Sequence, residues 1–133
     1  MGHDGAMSHV SETTAAPSAA ALAHFSALLT FETDCWDVHT SMASGDQDFV
    51  LLDVRGRGAW DEGHIDGAVH HPHPELTEDR LADYPADTLF VVYCAGPHCN
   101  GADKAGVRLA RLGRPVKKMI GCLLYTSPSP RDS

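Results

Sequence analysis

Thiol, imidazole and a tight Gly-Pro turn come together once in this chain, at Cys94-Ala95-Gly96-Pro97-His98-Cys99-Asn100. Residues 89–93 before it are an apolar, β-rich run bounded by Asp87 and Gly96, which reads as a buried strand. From Gly101 the apolar period becomes helical. Ala102, Ala105, Leu109 and Leu112 fall on one face, and Lys104, Arg108 and Arg111 fall on the other. Gly113 supplies the stop, with Pro115 beyond it. A cysteine between a strand end and a helix start meets the loop's N–H groups and the helix N-terminus, which favour a thiolate or a bound anion. Such placement takes a thiol from a pKa of about 8.5 to roughly 3.5–7.5. Cys94 is therefore the candidate nucleophile. The alternative is a small, inert residue that packs the strand end. Sulfur chemistry requires the thiol to open on a concave mouth; packed into the core away from one, it has no such role.

Cys99, five residues on across the turn, can resolve a persulfide or sulfenate into a disulfide, or simply pack the loop. His98 is either an acid/base or a solvent-facing side chain. Asn100 suits the N-cap of the following helix, with Asp103 at its third position.

The elements that must position this loop alternate. Residues 1–16 are small and polar, and read as a disordered tail; His3 and His9 in it are set aside as metal ligands. Residues 17–45 form an N-terminal helical segment. Pro17 opens its first helix, in which Leu22, Phe25 and Leu28/Leu29 make an apolar stripe. Thr33-Asp34 caps a second helix, with Cys35, Val38 and Met42 on its inner side and Gly45 as its stop. Residues 49–54 are a strand, apolar apart from Asp53, as expected when both faces are covered. Asp53 and Arg55 leave the same face of an extended chain, either as a solvated pair or as a buried brace for the neighbouring loop. A short helical turn follows over residues 58–62, then a glycine-flanked turn from Gly63 to Gly67 and a strand at residues 68–70. His70-His71-Pro72-His73 is taken as a stiff polar loop rather than a metal tract, leading into a helix over residues 74–81. The last strand spans residues 115–120. This alternation predicts an α/β fold with a mostly parallel sheet, whose ligands sit beyond the carboxyl ends of the strands.

A chain of 133 residues has room for one domain with a tail or two. Its formal net charge of −8 argues against nucleic acid and anionic membrane as partners. No Lys or Arg precedes Arg55, so the Ala-rich segment near the start lacks the positive region of a secretory signal. Four cysteines without even spacing do not read as a disulfide framework, and point to a reducing cytoplasm.

Leu52-Asp53-Val54-Arg55, then Trp60, then Gly63-His64-Ile65-Asp66-Gly67-Ala68, resembles the first signature of the rhodanese (sulfurtransferase) domain family. Val92-Tyr93-Cys94 resembles its active-site strand, and residues 105–113 the helix after it. Cys-x-Gly-Pro-x-Cys-Asn-Gly-Ala is similar to the loop of a bacterial single-domain subgroup, which also has a segment like Phe31-Glu-Thr-Asp34. The resemblance implies a rhodanese-like three-layer α/β fold, with residues 46–121 as the domain core and helices flanking the sheet. It implies transfer of sulfane sulfur through a persulfide on Cys94, within an active-site loop of residues 95–100. Asp53, Arg55, His64 and Lys104 would support that loop. The implied partners are a small-molecule or protein-bound sulfur donor and a thiol or cyanide acceptor, with no cofactor and no metal. The loop departs from the family in carrying no Arg or Lys, which disfavours thiosulfate as donor. Ala59 and Asp66 replace a common Glu and Pro without touching the chemistry.

Two other activities remain in view. A phosphatase or arsenate reductase needs Arg at the end of a Cys-x5-Arg loop, where Asn100 stands. A non-catalytic redox or sulfur sensor would toggle Cys94 and Cys99 between dithiol and disulfide. Residues 122–133 break the pattern and resemble a translated sequencing adapter, so the natural chain is expected to continue differently after Gly121, with a closing helix that is missing here.

Overall fold

The computed structural model describes residues 8–94 and 100–121. Five parallel strands make one sheet in the order β1-β5-β4-β2-β3: β1 (Glu32–Asp34), β2 (Val50–Asp53), β3 (Val69–His70), β4 (Phe90–Tyr93) and β5 (Val116–Ile120). Helices α3 (Cys35–Ser44) and α5 (Gly101–Arg111) cover opposite faces. This is the expected α/β architecture with a parallel central sheet between helices.

Alternation along β2 and β4 separates the core into two halves, because successive side chains leave opposite faces. Leu52, Val54, Phe90, Val92 and Cys94 pack with Ala102, Ala105 and Leu109 of α5. Leu51, Val91, Tyr93 and Met119 pack with Val38 of α3. Both central strands are covered on each side, which is why they read as continuous apolar runs.

The caps follow the sequence closely. The Asp34 carboxylate accepts from the Asp37 N–H at 2.8 Å, and Gly45 ends α3 in the left-handed conformation at φ 84°. Gly113 after α5 has φ 77°. The short helix α4 (Arg57–Glu62) lies where the turn was expected.

Four expectations are corrected. First, residues 74–81 do not form an α-helix. A 3-10 turn, His73–Glu75, is followed by overlapping turns, with Leu76 and Leu81 both anchored in the α5-side core. Pro72 and Pro74 fix the backbone and remove donors, and burial of two leucines five apart does the rest. Second, Glu32–Asp34 is a strand as well as a cap, pairing Glu32, Thr33 and Asp34 with Lys118, Met119 and Ile120. Three polar residues give no strand signal; the partner strand supplies the ladder. Third, the apolar stripe of α2 (Ser18–Phe31) faces outward, with Leu22 70%, Phe25 61% and Leu29 71% exposed. Its polar residues Ser18, His24, Ser26 and Thr30 are spread around the helix, so the pattern marks no one face for burial. Fourth, both described cysteines, Cys35 and Cys94, are disulfide-bonded. Spacing along the chain does not report closeness in space.

Within residues 1–16, His9–Glu12 forms one exposed helical turn, α1, capped reciprocally by Ser8 and Ser11. Residues 1–7, 95–99 and 122–133, including the expected adapter segment, lie outside the described residues.

Candidate active site

Cys94 is the first residue past β4, on the α5 side of the sheet. The parallel register pairs Asp53 with Tyr93, and the Val54 N–H donates to the Tyr93 carbonyl at 3.2 Å, so Val54 and Cys94 stand abreast at the carboxyl edge. Cys94 is 8% exposed and packs at the rim of the core with Val54, Leu76 and Ala102. The open mouth expected of a reactive sulfur is thus not seen among the described residues, and what points to chemistry is position alone, at a strand end beside the first turn of α5. Ala95, Gly96, Pro97, His98 and Cys99 lie outside the described residues. Asn100 occupies the N-cap position of α5 but makes no side-chain capping bond; only its carbonyl is engaged, accepting from the Lys104 N–H at 3.0 Å. The expected Asn100 cap is therefore corrected to a backbone cap. Asp103 in the first turn of α5 pairs with Lys118 of β5 at 3.0 Å.

The Asp53–Arg55 pair is a buried brace. Asp53 is fully buried, and its carboxylate accepts from Arg55 Nε at 2.9 and 3.1 Å, Arg55 Nη2 at 2.7 Å and the Arg55 backbone N–H at 3.0 Å. Tyr93 completes it: its hydroxyl donates to Asp53 at 2.8 Å and accepts from the Ile65 N–H at 3.1 Å. Arg55 Nη2 also donates to the Gly63 carbonyl at 2.6 Å, and its guanidinium lies 5.6 Å from the Tyr93 ring centre. The bond to Asp53 raises the Arg55 pKa above its ordinary value, against the opposing effect of burial. Burial, above all, pushes the Tyr93 hydroxyl up, so it stays a proton donor to Asp53 at neutral pH. Two strand ends are thereby tied to the Gly63–Ile65 turn. Tyr93 leaves the opposite face from Cys94, so the brace supports the edge from the α3 side and does not reach the sulfur.

His64 lies in a ring stack, 3.3 Å from Trp60 at an interplanar angle of 5°, with Nδ1 donating to the Trp60 carbonyl at 2.9 Å. His70 stacks against the same indole at 4.9 Å, and its Nε2 donates to the Arg55 carbonyl at 3.0 Å. His64 thus organises the turn; its described contacts are with Trp60. Lys104 is exposed on α5.

Sequence reasoning passed over Tyr93 and His73. Tyr93 was legible in principle, as a hydroxyl in an otherwise apolar strand. His73 is placed by its N–H, which donates to Val54, and by the packing of its 3-10 turn on α5. Burial, aided by nearby Lys104 and Arg108, lowers its pKa, and its Nδ1 is buried without a hydrogen-bond partner. His71 is likewise lowered, chiefly by burial. Among the described residues no three His, Cys, Asp or Glu side chains are arranged to hold a metal ion. A cavity of about 160 Å³ beside Asp37, Asp48 and Lys117 lines the other end of the sheet, around the starts of β2, β4 and β5.

Comparison with known proteins places these features in context. The chain is 45% identical over 71 residues to the HTH-type transcriptional regulator Rv0324 of Mycobacterium tuberculosis, a match covering 53% of this chain and 30% of that protein. The chain thus spans under a third of that relative. The crystal structure of the BH2092 protein from Bacillus halodurans superposes with a TM-score of 0.76 at 34% identity, covering 82% of this chain and 80% of that one. That of the Alr3790 protein from Anabaena gives 0.61 at 27% identity, covering 69% and 73% respectively. The model of the rhodanese-like domain matches residues 37–122, well over half the sequence and the whole of the described site. With Cys94 at the carboxyl end of a central parallel strand, the chain belongs to the rhodanese-like domain family.

Proposed function

We propose that this domain is a sulfurtransferase that carries sulfane sulfur as a persulfide on Cys94. The observation that carries the reading is the placement of Cys94, past the end of β4 and beside the first turn of α5, in a chain of the rhodanese-like family. The reacting form is the reduced thiolate. It attacks the outer sulfur of a donor R–S–SH; the donor S–S bond breaks, its electron pair leaves with R–S⁻, and the product is Cys94–S–SH. Transfer to an acceptor thiolate or cyanide reverses the roles, so no external oxidant enters. Backbone N–H groups at the helix start favour the anionic forms on both sides of the step. Residues 95–100 contain no Arg or Lys, so a neutral or protein-borne persulfide suits the loop better than thiosulfate. No described helix is long and apolar enough to cross a membrane.

The disulfide-bonded state of Cys94 favours a second reading, a redox or sulfur sensor in which Cys94 and Cys99 exchange between dithiol and disulfide. The kinship with a transcriptional regulator points the same way. The two separate experimentally. Reduced chain freed of reductant is incubated with several sulfane donors and weighed intact. A one-sulfur adduct on the wild type and on Cys99→Ser, absent from Cys94→Ser, supports transfer. An adduct that survives Cys94→Ser refutes it. Persulfide-free oxidation that needs Cys99 establishes the sensor.

A further inference from the structure

The basic residues of this acidic chain are concentrated around α5. Residues 101–121 hold six Lys and Arg against one acidic residue, Asp103, whereas the whole chain carries −8. Several are used internally: Lys118 holds Asp103, and Arg114 donates to the carbonyls of Leu81, Tyr84 and Pro85. Lys104, Arg108 and Arg111 are different. Spaced i, i+4, i+7, they share the outward face of α5, opposite its buried Ala102, Ala105 and Leu109. All three are exposed, and none makes an ion pair within the described residues. Val107 stands among them, 50% exposed, giving the face an apolar centre.

We propose that this face docks an acidic segment of a partner protein that delivers sulfur to Cys94 or accepts it. The inference rests on the sulfurtransferase reading and names its partner class. Three observations favour a protein segment. At a rise of about 1.5 Å per residue, Lys104 to Arg111 spans roughly 10 Å, more than one small oxyanion can bridge. Unpaired cations around an exposed valine match a strand or helix that alternates carboxylates with an apolar side chain. The face also begins beside the site: α5 shares its core with Cys94, and the 3-10 turn bearing His73 packs on α5, close enough for Lys104 and Arg108 to act on His73. A partner laid along α5 therefore has one end at the sulfur. The same loop lacks cations of its own, so charge recognition is displaced from the thiol to the helix that follows it. The chain's net negative charge and the apolar centre of the face disfavour nucleic acid.

The test uses the reduced full chain and short synthetic peptides, each bearing one cysteine persulfide beside a constant leucine, flanked by Glu, Gln or Lys. Initial sulfur arrival on Cys94 is read by intact mass. At low salt the Glu peptide is expected to deliver about tenfold faster than the Gln peptide, a preference that high salt erases. The triple variant Lys104→Gln/Arg108→Gln/Arg111→Gln should bring the Glu:Gln ratio close to one; each variant is its own control, since only the ratio is read. A ratio near one in the wild type, or one untouched by the triple variant, overturns the proposal. So does tighter binding of a labelled oligonucleotide than of the Glu peptide. Concentration-dependent dimerisation lost in the triple variant makes a second copy the occupant and also overturns it. If no peptide loads Cys94, the sulfurtransferase reading fails, and fluorescence anisotropy of the thiol-form Glu and Gln peptides judges the docking face alone.

Discussion

Asp53→Asn is the sharpest probe of how the carboxyl edge is held. The wild-type carboxylate has no solvent exposure and meets Arg55 and Tyr93, while the Arg55 side chain is only 15% exposed. Neutralising Asp53 leaves a guanidinium with the Gly63 carbonyl and half an amide for company, and about 3–5 kcal/mol of stability should go. Arg55→Met, which strands a buried carboxylate, should cost a similar amount, about 3–5 kcal/mol. Removing both charges leaves no uncompensated ion, so the double variant should fall short of the summed losses by about 2–3 kcal/mol. Because total stability is of the order of 5–15 kcal/mol, each of these losses is a large fraction of it. Urea unfolding of the four proteins followed by circular dichroism reads the cycle. Strict additivity would refute the brace as a coupled unit. Tyr93→Phe extends the test: it loses the bond to Asp53 and strips the Ile65 N–H of its acceptor, for about 1–2 kcal/mol. Its sulfur loading per folded molecule should match wild type, since Tyr93 faces away from the Cys94 side.

Other expectations follow from single sites. Gly67 has φ 89°, and a Cβ there would approach the Met42 Cε to 2.5 Å, so Gly67→Ala should destabilise by about 1–3 kcal/mol in urea unfolding, softened only as far as Met42 can move. Arg114→Met removes three bonds to backbone carbonyls, at 2.6 to 3.2 Å, that hold the turns before β4; about 2–3 kcal/mol should be lost, with amide exchange around residues 81–85 accelerating first. His71 and His73 are held below their ordinary pKa, so the unfolded chain binds their protons first as pH falls. Their contribution makes stability decline from about pH 6.5 downward until the folded-state values are passed. His71→Gln/His73→Gln should flatten that decline in a pH series of melts; an unchanged slope would dismiss these two histidines as its source.

The strands around the site, α5 and the caps of α3 were legible because their signals are local. A continuous apolar run, a 3.6-residue period and a glycine stop each act within a few residues. Glu32–Asp34 was not legible, because its strand character belongs to β5. Nor was the turn region after His73, where two prolines and the burial of Leu76 and Leu81 outweigh helical propensity. The Asp53–Arg55 relation could be read from a two-residue spacing. A polar hydroxyl in an apolar strand flags its third member, Tyr93, but its partnership with Asp53 could not be read, since that needs the pairing of two strands forty residues apart.

That register also explains a division of labour at the edge. In a parallel sheet, one residue's advance along a strand exchanges one face for the other. Asp53 and Tyr93 therefore spend the last paired level on the α3 face, binding the strand ends to Gly63 and Ile65 through a charge network. One step further, Val54 and Cys94 turn to the α5 face, where their neighbours are the apolar Leu76 and Ala102. The two tasks are met by different groups: the buried ion pair needs opposite charges fixed nearby, whereas an anionic sulfur is favoured by the backbone N–H groups at the helix start. Placing them on adjacent levels lets the brace stiffen the floor of the site without entering its electrostatics. Outward along the chain, Lys118 pairs with Asp103 beside α5, while Lys104, Arg108 and Arg111 make no ion pair among the described residues. A shift of β2 against β4 by a single residue would destroy this arrangement while leaving every strand apolar, so the register itself, pinned by Asp53 and Tyr93, is what sets Cys94 on the α5 face and the charge network on the other.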